Sequence, residues 1–137
     1  MRVSKSNRRS GAATVEFAVL LPFLLFISVI ATDWARLLHY TITIEACARN
    51  GALYAADQET AAKSPYANVT AAALAEAPYL NAVATVTPTY ANDSTGAAVV
   101  TVKVEMPFGT ITNFPGVPSS QTLSRSVQMR VAPLVTK

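Results

Sequence analysis

Sixteen consecutive residues without a formal charge, Phe17 to Thr32, begin directly after a carboxylate, Glu16. That run dictates one outcome for the first third of the chain, because so apolar a segment must be removed from water. Counted from Ala12, the segment to Thr32 spans ~31 Å as a helix at ~1.5 Å per residue, about the thickness of a bilayer core. Glu16 is then expensive. A charged side chain inside a bilayer costs roughly 2.5 to 3.5 kcal/mol on the milder insertion scale, so its presence is a functional hypothesis in itself.

Arg2, Lys5, Arg8 and Arg9 precede the segment with no acidic residue among them. By the positive-inside rule this cluster places the N-terminus in the cytoplasm and everything after Asp33 outside it. The cluster also accounts for the basic balance of the chain. The formal charge is +3, but residues 12–137 carry seven basic against eight acidic residues. No basic patch remains from which to argue nucleic-acid binding. At 137 residues the chain can hold one membrane segment and one small domain. We expect a basic leader over residues 1–11, a transmembrane helix over 12–32 and an extracytoplasmic head over 33–137. Cys47 is alone, which excludes an intramolecular disulfide and leaves a small apolar helix residue as its reading. His39 has no nearby Cys or second His and reads as a boundary or surface residue.

The fold class expected is α+β: a long N-terminal transmembrane helix continuing into a small head with a short helix and a three- or four-stranded antiparallel sheet. The helical period runs on through Leu37, Leu38, Ile42, Ala48, Ala52 and Ala55, so one helix is predicted from about Thr14 to Ala62. Pro22 lies inside it and should bend or loosen the turn before it. The β-branched run Thr41 to Ile44 and Gly51 weaken the helix. A second helix fits Asn68 to Ala77, with Asn68 as N-cap and Pro78 as its stop. Strands are predicted over Ala82 to Thr89, Ala98 to Met106 and Thr122 to Val131, the last two alternating apolar and polar residues as a sheet with one wet face does. Asn92 to Gly96 reads as a hairpin loop, and the proline-rich segment Pro107 to Ser120 as a surface loop and candidate contact region.

The string Arg9-Ser10-Gly11-Ala12-Ala13-Thr14-Val15-Glu16-Phe17-Ala18-Val19-Leu20-Leu21-Pro22 resembles the leader junction of type IV prepilins: a basic leader ending in Gly, then Glu at the fifth mature position. More narrowly it resembles the TadE-like family, minor pilins or pseudopilins of tight-adherence (Tad) pilus machinery. Ala46 to Ala56 is similar to the small-residue helix that follows the span in that family. Ala12 departs from the Phe that commonly follows the cut in type IV pilins, so Tad-type rules fit better.

The resemblance implies cleavage between Gly11 and Ala12 by a prepilin peptidase, and a new ammonium on Ala12. In pilin assembly Glu16 then recruits the amine of a neighbouring subunit, with Phe17 and Pro22 in the same assembly segment. It implies as partners the peptidase, other pilin subunits, the Tad assembly machinery and membrane lipid. A carboxylate snorkelling to the headgroups is the plainer reading of Glu16.

No catalytic residues, cofactor-binding residues or metal ligands are expected. There is one His, no Ser-His-acid set and no glycine-rich phosphate loop. No small-molecule substrate and no nucleic acid are expected as partners. The function expected is a minor pilin or pseudopilin of a Tad-type pilus in the cytoplasmic membrane, serving adherence or secretion. Two alternatives stand beside it: a secreted binding module whose residues 1–31 are a signal peptide, with Val29-Ile30-Ala31 before the cut, and an unprocessed single-span protein with a binding head.

Overall fold

The computed structural model describes residues 9–111 and 119–133. A helix α1 runs unbroken over Arg9–Ala56, followed by short helices α2 (Gln58–Lys63) and α3 (Val69–Ala73) and a 3-10 turn at Pro78–Leu80. Three strands then form an antiparallel meander: β1 (Thr85–Asn92), β2 (Ala98–Gly109) and β3 (Ser120–Arg130), with β2 in the middle. The molecule is α+β, as its sequence pattern predicts.

The first half of α1 is exposed all round from Gly11 to Val29, including Phe17, Leu20, Phe23 and Leu25. The helix stays continuous through Pro22, although a proline there leaves the Ala18 carbonyl without its usual intrahelical donor. From Asp33 onward one side of α1 is covered. Ile44, Cys47, Ala48, Ala52 and Ala55 are buried against a sheet face built from Val100, Val102, Val104, Met106 and Phe108. The alanine-rich stretch thus packs on its own sheet. The β-branched run does not interrupt α1; the hydroxyls of Thr41 and Thr43 donate to the carbonyls of Leu37 and His39 at 2.8 Å, within the helix.

The predicted helix to Ala62 breaks six residues early, and the cause is at the break. The Ala56 carbonyl, one of the unpaired groups of a helix C-terminus, accepts from the N–H of Ala132 at 2.8 Å, just beyond β3. Asp57 then adopts an extended conformation and caps a new helix, its carboxylate accepting from the N–H groups of Glu59 and Thr60. Asn68 caps α3 as expected, accepting from the Ala71 N–H at 2.8 Å, but α3 ends at Ala73 rather than Ala77. The remainder packs as a turn that buries Leu74, Ala77 and Leu80.

At Gly51 α1 comes close to both α3 and β2. A β-carbon placed there would lie 3.0 Å from the Cβ of Ala73 and 3.1 Å from Cγ1 of Val102. The absent side chain therefore sets the spacing of α1, α3 and β2 together.

The sheet starts later in β1 and runs longer in β2 and β3 than the alternation suggested. Pro88 is tolerated because β1 is an edge strand. Pro107 lies past Glu105, where β1 has ended, so β2 is paired there on the β3 side only. Alternation in β3 fails at Arg125. It pairs with Val104 and shares the face of Leu123 and Val127, yet remains exposed, since an edge strand lets a long side chain reach water. The segment 112–118, half of the predicted proline-rich loop, lies outside the described residues, and the loop's ends, Pro107 to Gly109 and Ser120, belong to β2 and β3.

The β1–β2 hairpin is organised by Asp93. Its carboxylate accepts from the N–H groups of Thr95 at 2.8 Å and Ala97 at 3.0 Å, and pairs with Arg130 of β3 at 2.9 Å. Gly96 takes φ +81°, a conformation that L side chains rarely adopt. The Thr95 hydroxyl, Arg130 and these amides hold the Asp93 carboxyl well below the usual carboxylate range.

Two outcomes are expected. In Gly51→Ala the helix-propensity gain of about 1 kcal/mol is outweighed by overpacking of about 1–3 kcal/mol, because Ala73 is fixed on backbone. The variant should melt below the wild type in detergent; an unchanged or raised melting temperature would show that α3 yields. For Asp93, the folded pKa lies below the unfolded one, so the unfolded state binds more protons and stability rises with pH. Its contribution is complete above roughly pH 4, the ordinary Asp value, and is lost as pH falls below that. Asp93→Ala should therefore flatten the stability profile on the acid side and leave its shape near neutrality unchanged.

Candidate functional site: the exposed apolar half of α1 and its junction with the head

Glu16 is exposed on α1, in a segment where Val15 and Phe17 are exposed on either side of it in sequence. Gly11 lies inside the helix, which begins by Arg9, and has open space where a side chain would be. A cut between Gly11 and Ala12 would thus fall in the first turn of α1, where helical hydrogen bonding is least complete. Glu16 lies little more than one turn beyond Gly11. Pro22 stands nearly two turns beyond Glu16 on the same exposed half. Arg2, Lys5 and Arg8 lie outside the described residues, and the side chain of Arg9 does too. The structure brings no part of the head near Glu16; what surrounds that carboxylate is an uncovered apolar cylinder.

The cylinder ends at a junction that the sequence did not reveal. Asp33 is buried to 7% exposure, and its carboxylate accepts from the Ile111 N–H at 3.0 and 3.2 Å and from Nη1 of Arg36 at 3.1 Å. The same guanidinium reaches the Gly109 carbonyl at 3.4 Å and lies 5.3 Å above the Phe108 ring, a cation–π distance. Phe108 packs edge-on against Tyr40 at 5.9 Å. Tyr40 is half-buried in the head, while Trp34 and His39 stay exposed. Only a carboxylate placed one residue past an apolar run hinted at this site. Its partner lies 78 positions away, beyond the reach of local pattern.

Elsewhere the head offers little chemistry. A groove of about 400 Å³ lies between the end of α1, α2 and α3, lined by Leu53, Tyr54, Asp57, Tyr66 and Glu76 among others. Asp57 there is committed to capping, and its hydrogen bonds from Thr60 lower its pKa. Burial, and then the Glu76 carboxylate, push the Cys47 thiol up, which keeps it protonated and poorly nucleophilic. Among the described residues no three His, Cys, Asp or Glu side chains gather as a metal site.

Residues 11–53 match the family model of TadE-like protein. Over that stretch the chain is similar to the TadE-like family. No curated protein and no solved structure matches the chain. The TadE-like match begins at Gly11 and takes in Glu16, Pro22, Asp33 and the helix as far as Leu53. It points to a pilin-like protein associated with a Tad pilus, in a family that is structural rather than enzymatic. Among the described residues α1 is the one helix long and apolar enough to cross a membrane, which with the TadE-like match suggests a single-pass membrane protein.

Removing the Asp33 carboxylate leaves the Ile111 amide without its acceptor and Arg36 without its ion-pair partner, at a cost of about 1–3 kcal/mol. Asp33→Ala should lower the unfolding midpoint in detergent and abolish hydrogen-exchange protection of the Ile111 amide, while the amides of β2 between Val100 and Val104 keep theirs.

Proposed function

We propose that this chain is a minor pilin or pseudopilin of a Tad-type pilus. It is inserted with its N-terminus in the cytoplasm, held by the helix from Ala12 to Thr32, and cut between Gly11 and Ala12 by a prepilin peptidase. The observation that carries the reading is the placement of Glu16: a carboxylate on an uncovered apolar helix, five residues after Gly11, inside the segment that matches the TadE-like model. Arg2, Lys5, Arg8 and Arg9 support the orientation.

A lone carboxylate at this depth is costly in lipid, whereas a carboxylate paired with an ammonium recovers much of that cost when the geometry is good. Cleavage supplies such an ammonium at Ala12. Within one helix the two groups are four residues apart and can make only a weak contact; between subunits, Glu16 meets the amine of its neighbour, and the pair sets the axial register. Phe17, Val19, Leu20, Phe23 and Leu24 then bury against other pilin helices what they expose in the single chain. Around Pro22, neighbouring helices cover the backbone carbonyl left without a donor. Adherence or secretion through the pilus is the role that follows.

The decisive measurement is the intact mass and N-terminal residue of the protein from its native membrane, with Ala12 expected first. A start at Thr32 would mean a signal peptide and a secreted head; an uncut chain would mean a plain anchor. Glu16→Gln should insert and be processed as the wild type is, yet drop out of assembled filaments. Normal incorporation of that variant would remove Glu16 from the assembly mechanism.

A further inference from the structure

The outer half of α1 and the central strand are nearly the same length. From Asp33 to Ala56 the helix rises roughly 35 Å at ~1.5 Å per residue, and the twelve residues of β2 cover about 40 Å at ~3.3 Å each. They are also fixed at both ends. Ala132, next to the end of β3 that pairs with the start of β2, bonds to Ala56 at the far end of α1. At the near end Ile111 bonds to Asp33. The chain therefore leaves β2 level with the last turn of the apolar segment, with no linker between that segment and the sheet.

Around this level two large apolar side chains are open, as Leu38 and Ile42 also are farther along α1. Trp34 is 62% exposed and Ile111 61%. The Asp33 clamp holds the backbone of Ile111 within a hydrogen bond of the helix, one residue past Thr32. Both lie at the end of the exposed apolar segment that runs from Val15 to Val29, Trp34 by sequence and Ile111 through its bond to Asp33.

We propose that the head rests directly on the bilayer that anchors it, with Trp34 and Ile111 seated in the headgroup layer of the outer leaflet and the Asp33–Arg36 pair holding the end of β2 against it. The occupant of this surface is phospholipid. Indole and short aliphatic side chains suit the interface, where an apolar body meets a wet boundary. The clamp gives the contact its geometry, because Asp33 satisfies the Ile111 N–H and Arg36 reaches the Gly109 carbonyl, polar groups that would otherwise meet the membrane bare. The distal hairpin at Asp93 points the opposite way, toward solvent. This seating rests on the reading of α1 as a membrane span, and it describes the subunit before assembly.

Trp34 is the one tryptophan of the chain, which makes it a natural probe. Full-length protein is reconstituted at low protein-to-lipid ratio in phosphatidylethanolamine and phosphatidylglycerol vesicles containing lipid brominated near the glycerol end of the acyl chain. Wild-type emission reports residue 34; a Trp34→Phe, Ile111→Trp double variant reports the end of β2. Both should lose intensity to the brominated lipid to a comparable extent, emit to the blue of a fully hydrated indole, and resist aqueous iodide. Quenching of Trp34 by lipid together with quenching of the residue-111 probe by iodide alone would overturn the proposal and leave the anchor standing. Absence of lipid quenching at both positions would overturn the proposal, and failure of the protein to float with the vesicles in a density gradient would overturn the anchor as well. Protection of residue 111 that grows with protein density, without lipid quenching, would assign the surface to a second copy and also overturn the proposal.

Discussion

The head exists because one side of the outer half of α1 is buried against the inner face of β2 and β3. An isolated three-stranded meander has a single apolar face and no means of hiding it. Val100, Val102, Val104, Met106 and Phe108 form that face, and the helix supplies the cover through side chains that are small at the points of closest approach. Ala48, Ala52 and Ala55 let the helix lie close to the strands, and Gly51 lets it lie closer still where α3 also presses in. Close approach replaces bulk. Each alanine buries little surface, so the energy comes from the valines opposite, at roughly 1.5–3 kcal/mol for each fully buried side chain.

The same helix is uncovered in its first half, and the two halves differ for a reason of composition. Between Phe17 and Thr32 the helix is apolar on every side, so no single face is marked for a sheet. After Asp33 the two sides differ: farther along α1, Glu45 and Arg49 are exposed as an i, i+4 pair at 3.5 Å, while Ile44, Cys47 and Ala48 face inward. Asp33 stands where one regime passes into the other. Its carboxylate ties the end of β2 to the helix at that height, and the ties at Ala56 and Ala132 do the same at the far end. The sheet thus holds the outer half of α1 at both of its ends. That arrangement suits the assembly proposed above, in which the height of Glu16 sets the register between subunits.

Function and stability therefore use different portions of one element. The residues proposed for processing and assembly, Gly11, Ala12, Glu16, Phe17 and Pro22, make no contact with the core cluster. Changes there can alter what the chain joins without altering whether the head folds. Changes at Gly51, Asp33 or Asp93 do the reverse. The match over residues 11–53 spans both portions, taking in the exposed segment and the part of α1 that carries the sheet.

Much of this was legible in the sequence because it depends on local period and on composition. Apolar runs announce long helices, alternation announces strands, and Asn68 before an alanine run announces a cap. The Gly11 to Glu16 spacing was legible for the same reason, being a relation within one short segment. Tertiary structure decided what depends on partners far along the chain. Helix α1 stops at Ala56 because a backbone amide 76 positions later takes its carbonyl and because Asp57 prefers capping to continuing. Tyr40 went inward because Phe108 arrived beside it. Asp33, one carboxylate among several by sequence, became the junction because β2 is long enough to bring Ile111 down to it. Those outcomes follow from lengths and register after packing, quantities that no window along the sequence contains.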